Sequence, residues 1–109
     1  MPRYLIQFCY TQKSLNALVD RPRDRTDAAR KVIEGFDGKL EFFSYCFGEF
    51  DGLVVAQFPN NEAAMASVLA INAAGTVTKT QTTVLLSPED AVKSMKYAHD
   101  TKTGYAAPG

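Results

Sequence analysis

The residues whose types and placement suggest binding chemistry are two glutamines, a set of aromatics and one aspartate. Gln7 and Gln57 interrupt otherwise apolar stretches, Leu5-Ile6-Gln7-Phe8 and Val55-Ala56-Gln57-Phe58. Tyr45 stands between Phe43 and Phe47 at every-second-residue spacing, which puts the three rings on one side of a strand as an aromatic wall. Asp51, next to Gly52, is either a functional acid or a turn residue bonded to its own backbone. Gln7, Gln57, Tyr45, Phe43, Phe47 and Asp51 form the candidate ligand site. An apolar cavity with a few convergent polar groups is the usual form of a small-molecule site. The competing reading is that the two amides bond to each other across a subunit interface, because buried amides need partners.

Other chemistry has little material. The chain has no Gly-rich phosphate loop, no Cys-x-x-Cys and no His-Glu-x-x-His. Two cysteines and one histidine, His99, leave little for a metal site, and no metal or cofactor is expected. A Cys-His nucleophile pair would need Cys9 or Cys46 near His99, which falls in the C-terminal tail. A Cys9–Cys46 disulfide is not expected either. If one strand separates theirs, at ~4.8 Å per strand, the two lie about 10 Å apart, beyond the ~7 Å limit. Free, mostly buried thiols in a reducing compartment fit better.

The elements that must position these residues centre on a β-hairpin. Lys39 to Phe47 and Leu53 to Phe58 are rich in aromatic and β-branched residues. Gly48 and Asp51-Gly52 are expected to supply positive-φ positions for the reversal. Neither side of the hairpin is clearly wet, whereas a one-sided antiparallel sheet alternates apolar and polar residues cleanly. Both faces are therefore expected to be covered. Arg3 to Tyr10 is a further two-sided strand, with apolar Tyr4, Ile6, Phe8 and Tyr10 at even positions and mixed Leu5, Gln7 and Cys9 at odd ones. If Ile6, Phe8, Val54, Ala56 and Phe58 face the helices, both glutamines face away from them.

Lys13 to Asp20 reads as a short helix broken by Pro22. A second runs from about Arg23 to Phe36, with Ala29, Val32, Ile33 and Phe36 on one face. The arginines between Arg21 and Arg30 are either an anion-binding cluster or a solvated helix surface. Interleaved Asp20, Asp24 and Asp27 favour the solvated surface. Asp37-Gly38 ends this helix. Asn60 or Asn61 caps a third, running to about Ala74 before Gly75, whose many alanines allow close packing on the sheet. Thr76 to Leu86 is a more polar edge strand. Ser87-Pro88-Glu89-Asp90 starts a last helix, to about Tyr97.

The order is β-α-β-β-α-β plus a C-terminal helix. That is a ferredoxin-like α+β fold, with antiparallel strand order 4-1-3-2 and both main helices on one face. Residues 1–97 are expected to be one domain and 98–109 a flexible tail. The other face of the sheet stays bare in one subunit, so a homodimer closing as a dimeric α/β barrel is expected, with higher oligomers open. Twelve basic residues balance twelve acidic ones across 109 residues, which gives no general attraction to nucleic acid or anionic membrane. No membrane-length apolar run appears, and a cytoplasmic location is expected.

The chain resembles the GYD domain family over about residues 1–95. The resemblance rests on Met1-Pro-Arg-Tyr-Leu-Ile6, on the Gly48-Glu-Phe-Asp-Gly52 turn flanked by an aromatic strand and Leu53-Val-Val-Ala56, and on Thr80-Gln-Thr-Thr-Val-Leu85. The family's Gly-Tyr-Asp triplet appears here as Gly48-Glu49-Phe50-Asp51, with one extra residue and Phe for Tyr. The resemblance implies a small bacterial protein forming a dimeric α/β barrel, and implies no reaction.

Two functions compete. One is a homodimeric small-molecule-binding or interaction module taking a small apolar ligand. The other, by fold analogy alone, is a cofactor-independent monooxygenase or isomerase acting on a small aromatic or quinol-like compound. An enzyme wants an ionisable cavity group with a shifted pKa. The cavity strands offer chiefly amides and phenols, which favours binding.

Overall fold

Alternation in the first strand decides which side of the sheet the helices cover. The computed structural model describes residues 1–109. In β1, Arg3–Tyr10, every even residue from Tyr4 to Tyr10 is buried, while Leu5, Gln7 and Cys9 stay partly exposed. β3, Gly52–Gln57, runs antiparallel beside it, with Tyr4 opposite Ala56 and Ile6 opposite Val54. These pairs, with Phe58, form the centre of the core, where Ala56 and Phe58 are fully buried. β4, Val77–Leu85, pairs with the other side of β1, and β2, Lys39–Tyr45, with the outer side of β3. The sheet order is β2-β3-β1-β4, the ferredoxin-like order expected from the chain.

The helices start where their caps lie. Thr11 Oγ1 accepts from Ser14 N–H and opens α1, Gln12–Asp20. α2, Thr26–Gly35, begins three residues later than periodicity predicts, because the Asp24 carboxylate bonds both the N–H and the hydroxyl of Thr26. Asn60 caps α3, Asn61–Ala73, by accepting from Ala63 N–H. Tyr4 donates its hydroxyl to Asn61 Oδ1 at 2.6 Å and pins α3 to β1.

The turns differ from expectation in their chemistry. Neither Gly48 nor Gly52 has positive φ; Asp37, at the end of α2, does, at 62°. Gly52 serves a close approach instead, since a Cβ there would lie 2.5 Å from Phe8 Cζ. Gly38 does the same where α2 hands the chain to β2: a Cβ would meet the Gln57 carbonyl oxygen at 2.6 Å.

α4, Pro88–Asp100, carries the expected Ser87 cap but runs three residues past Tyr97. The helix thus includes Ala98, His99 and Asp100, all three placed in a loose tail by the sequence, and of that tail only residues 101–109 are irregular. Every α4 residue except Ala91 is exposed. The helix projects from the body, and the molecule measures 59 × 35 × 22 Å. No helix is long and apolar enough to cross a membrane.

Candidate functional site

α2 packs on β2 and α3 on β4, which leaves a gap between the helices above the middle of the sheet. The residues that would have to fill it are small: Ala28 and Ala29 on α2, Ala70 and Ala74 at the end of α3. A close-packed interior leaves few voids larger than water, yet here a cavity of about 220 Å³ remains. Its floor is Ile6, Phe8, Tyr10, Phe43, Val54 and Val77 of the sheet. Its walls include Val32 and Ile33 from α2 and Val68 and Ile71 from α3. All but Arg25, Ser67, Thr76 and Thr80 of its 18 lining residues are apolar or aromatic. Ala70 and Ala74 are exposed and Arg25 partly so, which marks the open rim. The alanines therefore do not draw α3 tightly onto the sheet along its whole length. Ala64 does so, at 2 % exposure, and the later ones leave space.

The aromatic wall forms, but on this helix side. Residues 41–42 of β2 interrupt the pairing: Leu40 is opposite Ala56, Phe42 opposite Val55 and Phe43 opposite Val54. One extra residue, Glu41, bulges out and reverses the side that each later residue faces. Phe43 and Tyr45 therefore lie away from Gln7 and Gln57, not beside them. The ring of Phe43 lies 6.1 Å from Phe8 and 5.1 Å from Tyr45, and Phe8 lies 5.3 Å from Tyr10. Phe47 belongs to no wall: β2 ends at Tyr45, and Phe47 is fully exposed in the connection. Phe50 turns inward in its stead, buried with Lys79 Nζ 4.8 Å from its ring centre.

The two glutamines share the bare side but do not converge. Gln57 lies opposite Arg3, and Gln7 opposite Leu53 and Gln81. Four strand positions separate Gln7 from Arg3, about 13 Å. Gln57 instead donates its amide to Glu41, which also accepts from Arg3 Nε at 2.9 Å. Gln57 first, then Arg3, holds the Glu41 carboxyl below its usual range. Asp51 is a turn residue, though it caps a neighbouring strand and not itself. Its carboxylate accepts from Tyr10 N–H at 2.8 Å, and its own N–H donates to the Phe8 carbonyl at 2.9 Å. Cys9 and Cys46 are free. Cys9 Sγ lies 3.4 Å from the Glu49 carbonyl, and exposed His99 pairs with Asp100. No three histidine, cysteine, aspartate or glutamate side chains gather into a metal-binding group.

Sequence reasoning missed Arg25. Its neighbours behave as a solvated surface: Arg30 pairs with Asp27, Asp24 accepts from Thr26, and Arg23 donates to the carbonyl of Arg21. Arg25 alone lines the cavity and enters none of the chain's ion pairs. Nothing in the spacing distinguishes it from Arg21 or Arg23. Inside the cavity Tyr10 is the titratable phenol. Burial, first, and the neighbouring Tyr45 hydroxyl push its pKa well up, against the opposing charge of Arg25. It stays a neutral hydroxyl across the physiological range, a donor and acceptor and not a base.

The GYD domain model matches residues 4–95. The chain belongs to the GYD domain family. No curated protein matches this GYD domain in sequence. Among solved structures it is similar to a crystal structure of MtbAldR, with 12% identity, a TM-score of 0.54 and 79% of this chain covered. It spans about half the length of that protein, 52%. It is also similar to a crystal structure of FFRP-DM1, with 12% identity, a TM-score of 0.50, and 79% of this chain and 100% of that one covered. At this identity the likeness concerns the fold, and it supports the four-stranded α+β arrangement.

Proposed function

We propose that this GYD domain is a small-molecule-binding module that acts as a homodimer and carries out no reaction of its own. The observation that carries this reading is the cavity of about 220 Å³, lined by apolar and aromatic side chains with a few polar groups among them, the usual form of such sites. Its titratable members are a guanidinium and a phenol held neutral, which suit recognition better than proton abstraction. The ligand site thus moves from the bare sheet face to the helix-covered side.

The bare face supports the homodimer. Leu5, Leu53, Val55, Phe42 and Leu85 lie there with Gln7 and Gln81 among them. No helix of the same chain covers them, and exposed apolar patches of this kind mark interfaces. Gln7, without a partner inside the chain, then meets one across the dimer axis.

Filling the cavity tests the ligand reading. A panel of small aromatic and aliphatic compounds is screened for thermal stabilisation of the wild type and of Ala29→Leu and Ala74→Leu. We expect binders to raise the Tm of the wild type and to lose that effect in the filled variants. A panel that stabilises all three alike places the binding elsewhere and ends the reading.

A further inference from the structure

We infer that the cavity takes a small apolar monocarboxylate, its hydrocarbon end on the aromatic floor and its carboxylate on Arg25. This rests on the small-molecule reading above and names the class of ligand. Three observations carry it.

The first is charge. Arg25 is the single charged residue of the lining, partly buried, and outside every ion pair of the chain. A guanidinium presents a planar fork of donors that matches a carboxylate in a bidentate pair. Held beside apolar walls without an acidic partner, it leaves that fork for a ligand. Asp51 does not line the cavity and forms no ion pair with Arg25; its carboxylate accepts from Tyr10 N–H at 2.8 Å.

The second is size. A cavity of roughly 150 Å³ lined by aliphatic and aromatic side chains suffices for benzene. In proportion, 220 Å³ holds about nine non-hydrogen atoms, a ring or short chain bearing one carboxylate. Phosphorylated sugars and nucleotides exceed that volume.

The third is polarity along the cavity. Phe8, Phe43 and Val54 offer no hydrogen bond from their side chains, so the inner end favours hydrocarbon. The Tyr10 phenol, close enough to Arg25 to feel its charge, adds a neutral donor at the anionic end. One cation in a chamber otherwise lined by uncharged, mostly apolar side chains selects an amphipathic anion over a neutral hydrocarbon or a zwitterion, whose ammonium would find no carboxylate in the lining.

The test uses isosteric pairs that differ in charge: benzoate against benzamide, and hexanoate against hexanamide. Binding to the full chain is followed by calorimetry and by the methyl resonances of Val32, Val68 and Ile71. In the wild type the acids are expected to bind roughly ten- to a hundredfold more tightly than their amides. In Arg25→Gln that preference collapses while amide binding stays as it was, and Arg25→Lys restores part of it. Equal affinity for acid and amide in the wild type overturns the carboxylate assignment and leaves the small-molecule reading standing. If neither member of either pair moves the three methyl resonances at millimolar concentration, both fall. Acid affinity that weakens as protein concentration rises means that a second copy occupies the cavity, and also overturns the assignment.

Discussion

The two faces of this sheet are built from the same strands and meet different fates. On the helix side Tyr4, Ile6, Phe8, Tyr10, Val54 and Ala56 are all buried within one chain. On the other side Leu5, Gln7, Cys9, Leu53, Val55 and Gln57 are only partly shielded. Yet it is the covered face that holds the cavity. Burial and filling are thus separate properties. Helices bring a face out of water, but only large side chains on those helices fill what they enclose, and here four of the facing residues, Ala28, Ala29, Ala70 and Ala74, are alanines. In the proposed reading the bare face takes a second surface and the covered face takes a guest.

The largest effect should separate the faces directly. Phe58→Ala, at a fully buried position, is expected to cost ~3–5 kcal/mol in urea unfolding. Leu5→Arg, on the bare face, should change subunit stability by no more than about 0.5 kcal/mol at dilutions where subunits are separate. It should, however, abolish the proposed dimer in sedimentation velocity. A wild type that sediments as one subunit at micromolar concentration would remove the reason for treating that face as an interface.

A smaller effect sharpens the join between hairpin and β1. Asp51→Ala leaves Tyr10 N–H without its acceptor and should cost ~1–3 kcal/mol. Asp51→Asn keeps an acceptor and should cost less than Asp51→Ala in the same measurement. Equal losses would mean that the charge matters more than the bond, and would reopen Asp51 as a functional acid.

The smallest effect lies at the corner of the bare face. Glu41 titrates below its ordinary value in the folded chain because of Gln57 and Arg3. The unfolded chain therefore takes up its proton first as pH falls. The stabilisation is present above the ordinary carboxylate pKa and disappears as pH drops through the lower folded value. Gln57→Leu should flatten the fall in urea midpoint between about pH 5 and about pH 3; an unchanged profile would show that the pairing is too exposed to matter.

The strand order, the strand segments and a cap at Asn60 or Asn61 were legible because they rest on simple rules: period-two alternation in β1, an amide at the helix start, a proline between α1 and α2, right-handed crossovers. The side that Phe43 and Tyr45 face was not. A single bulged residue, Glu41, inverts every side chain beyond it, and nothing in Leu40-Glu41-Phe42-Phe43 marks where pairing slips. Arg25 was illegible for a related reason. Its inward position depends on where α2 begins, which the bonds from Thr26 to Asp24 set three residues later than periodicity suggests. The cavity itself arises from what is missing, since alanines read as close-packing residues until the neighbouring helix is placed.

The bulge at Glu41 also bears on how relatives of this chain should be aligned. A member lacking that one residue would reach its hairpin aromatics a step sooner after the glycine that ends α2, and still present the same rings to the helices. A gap of one position there is therefore conservative of architecture, whereas the same gap between Phe43 and Tyr45 would exchange the inner and outer lining of the hairpin.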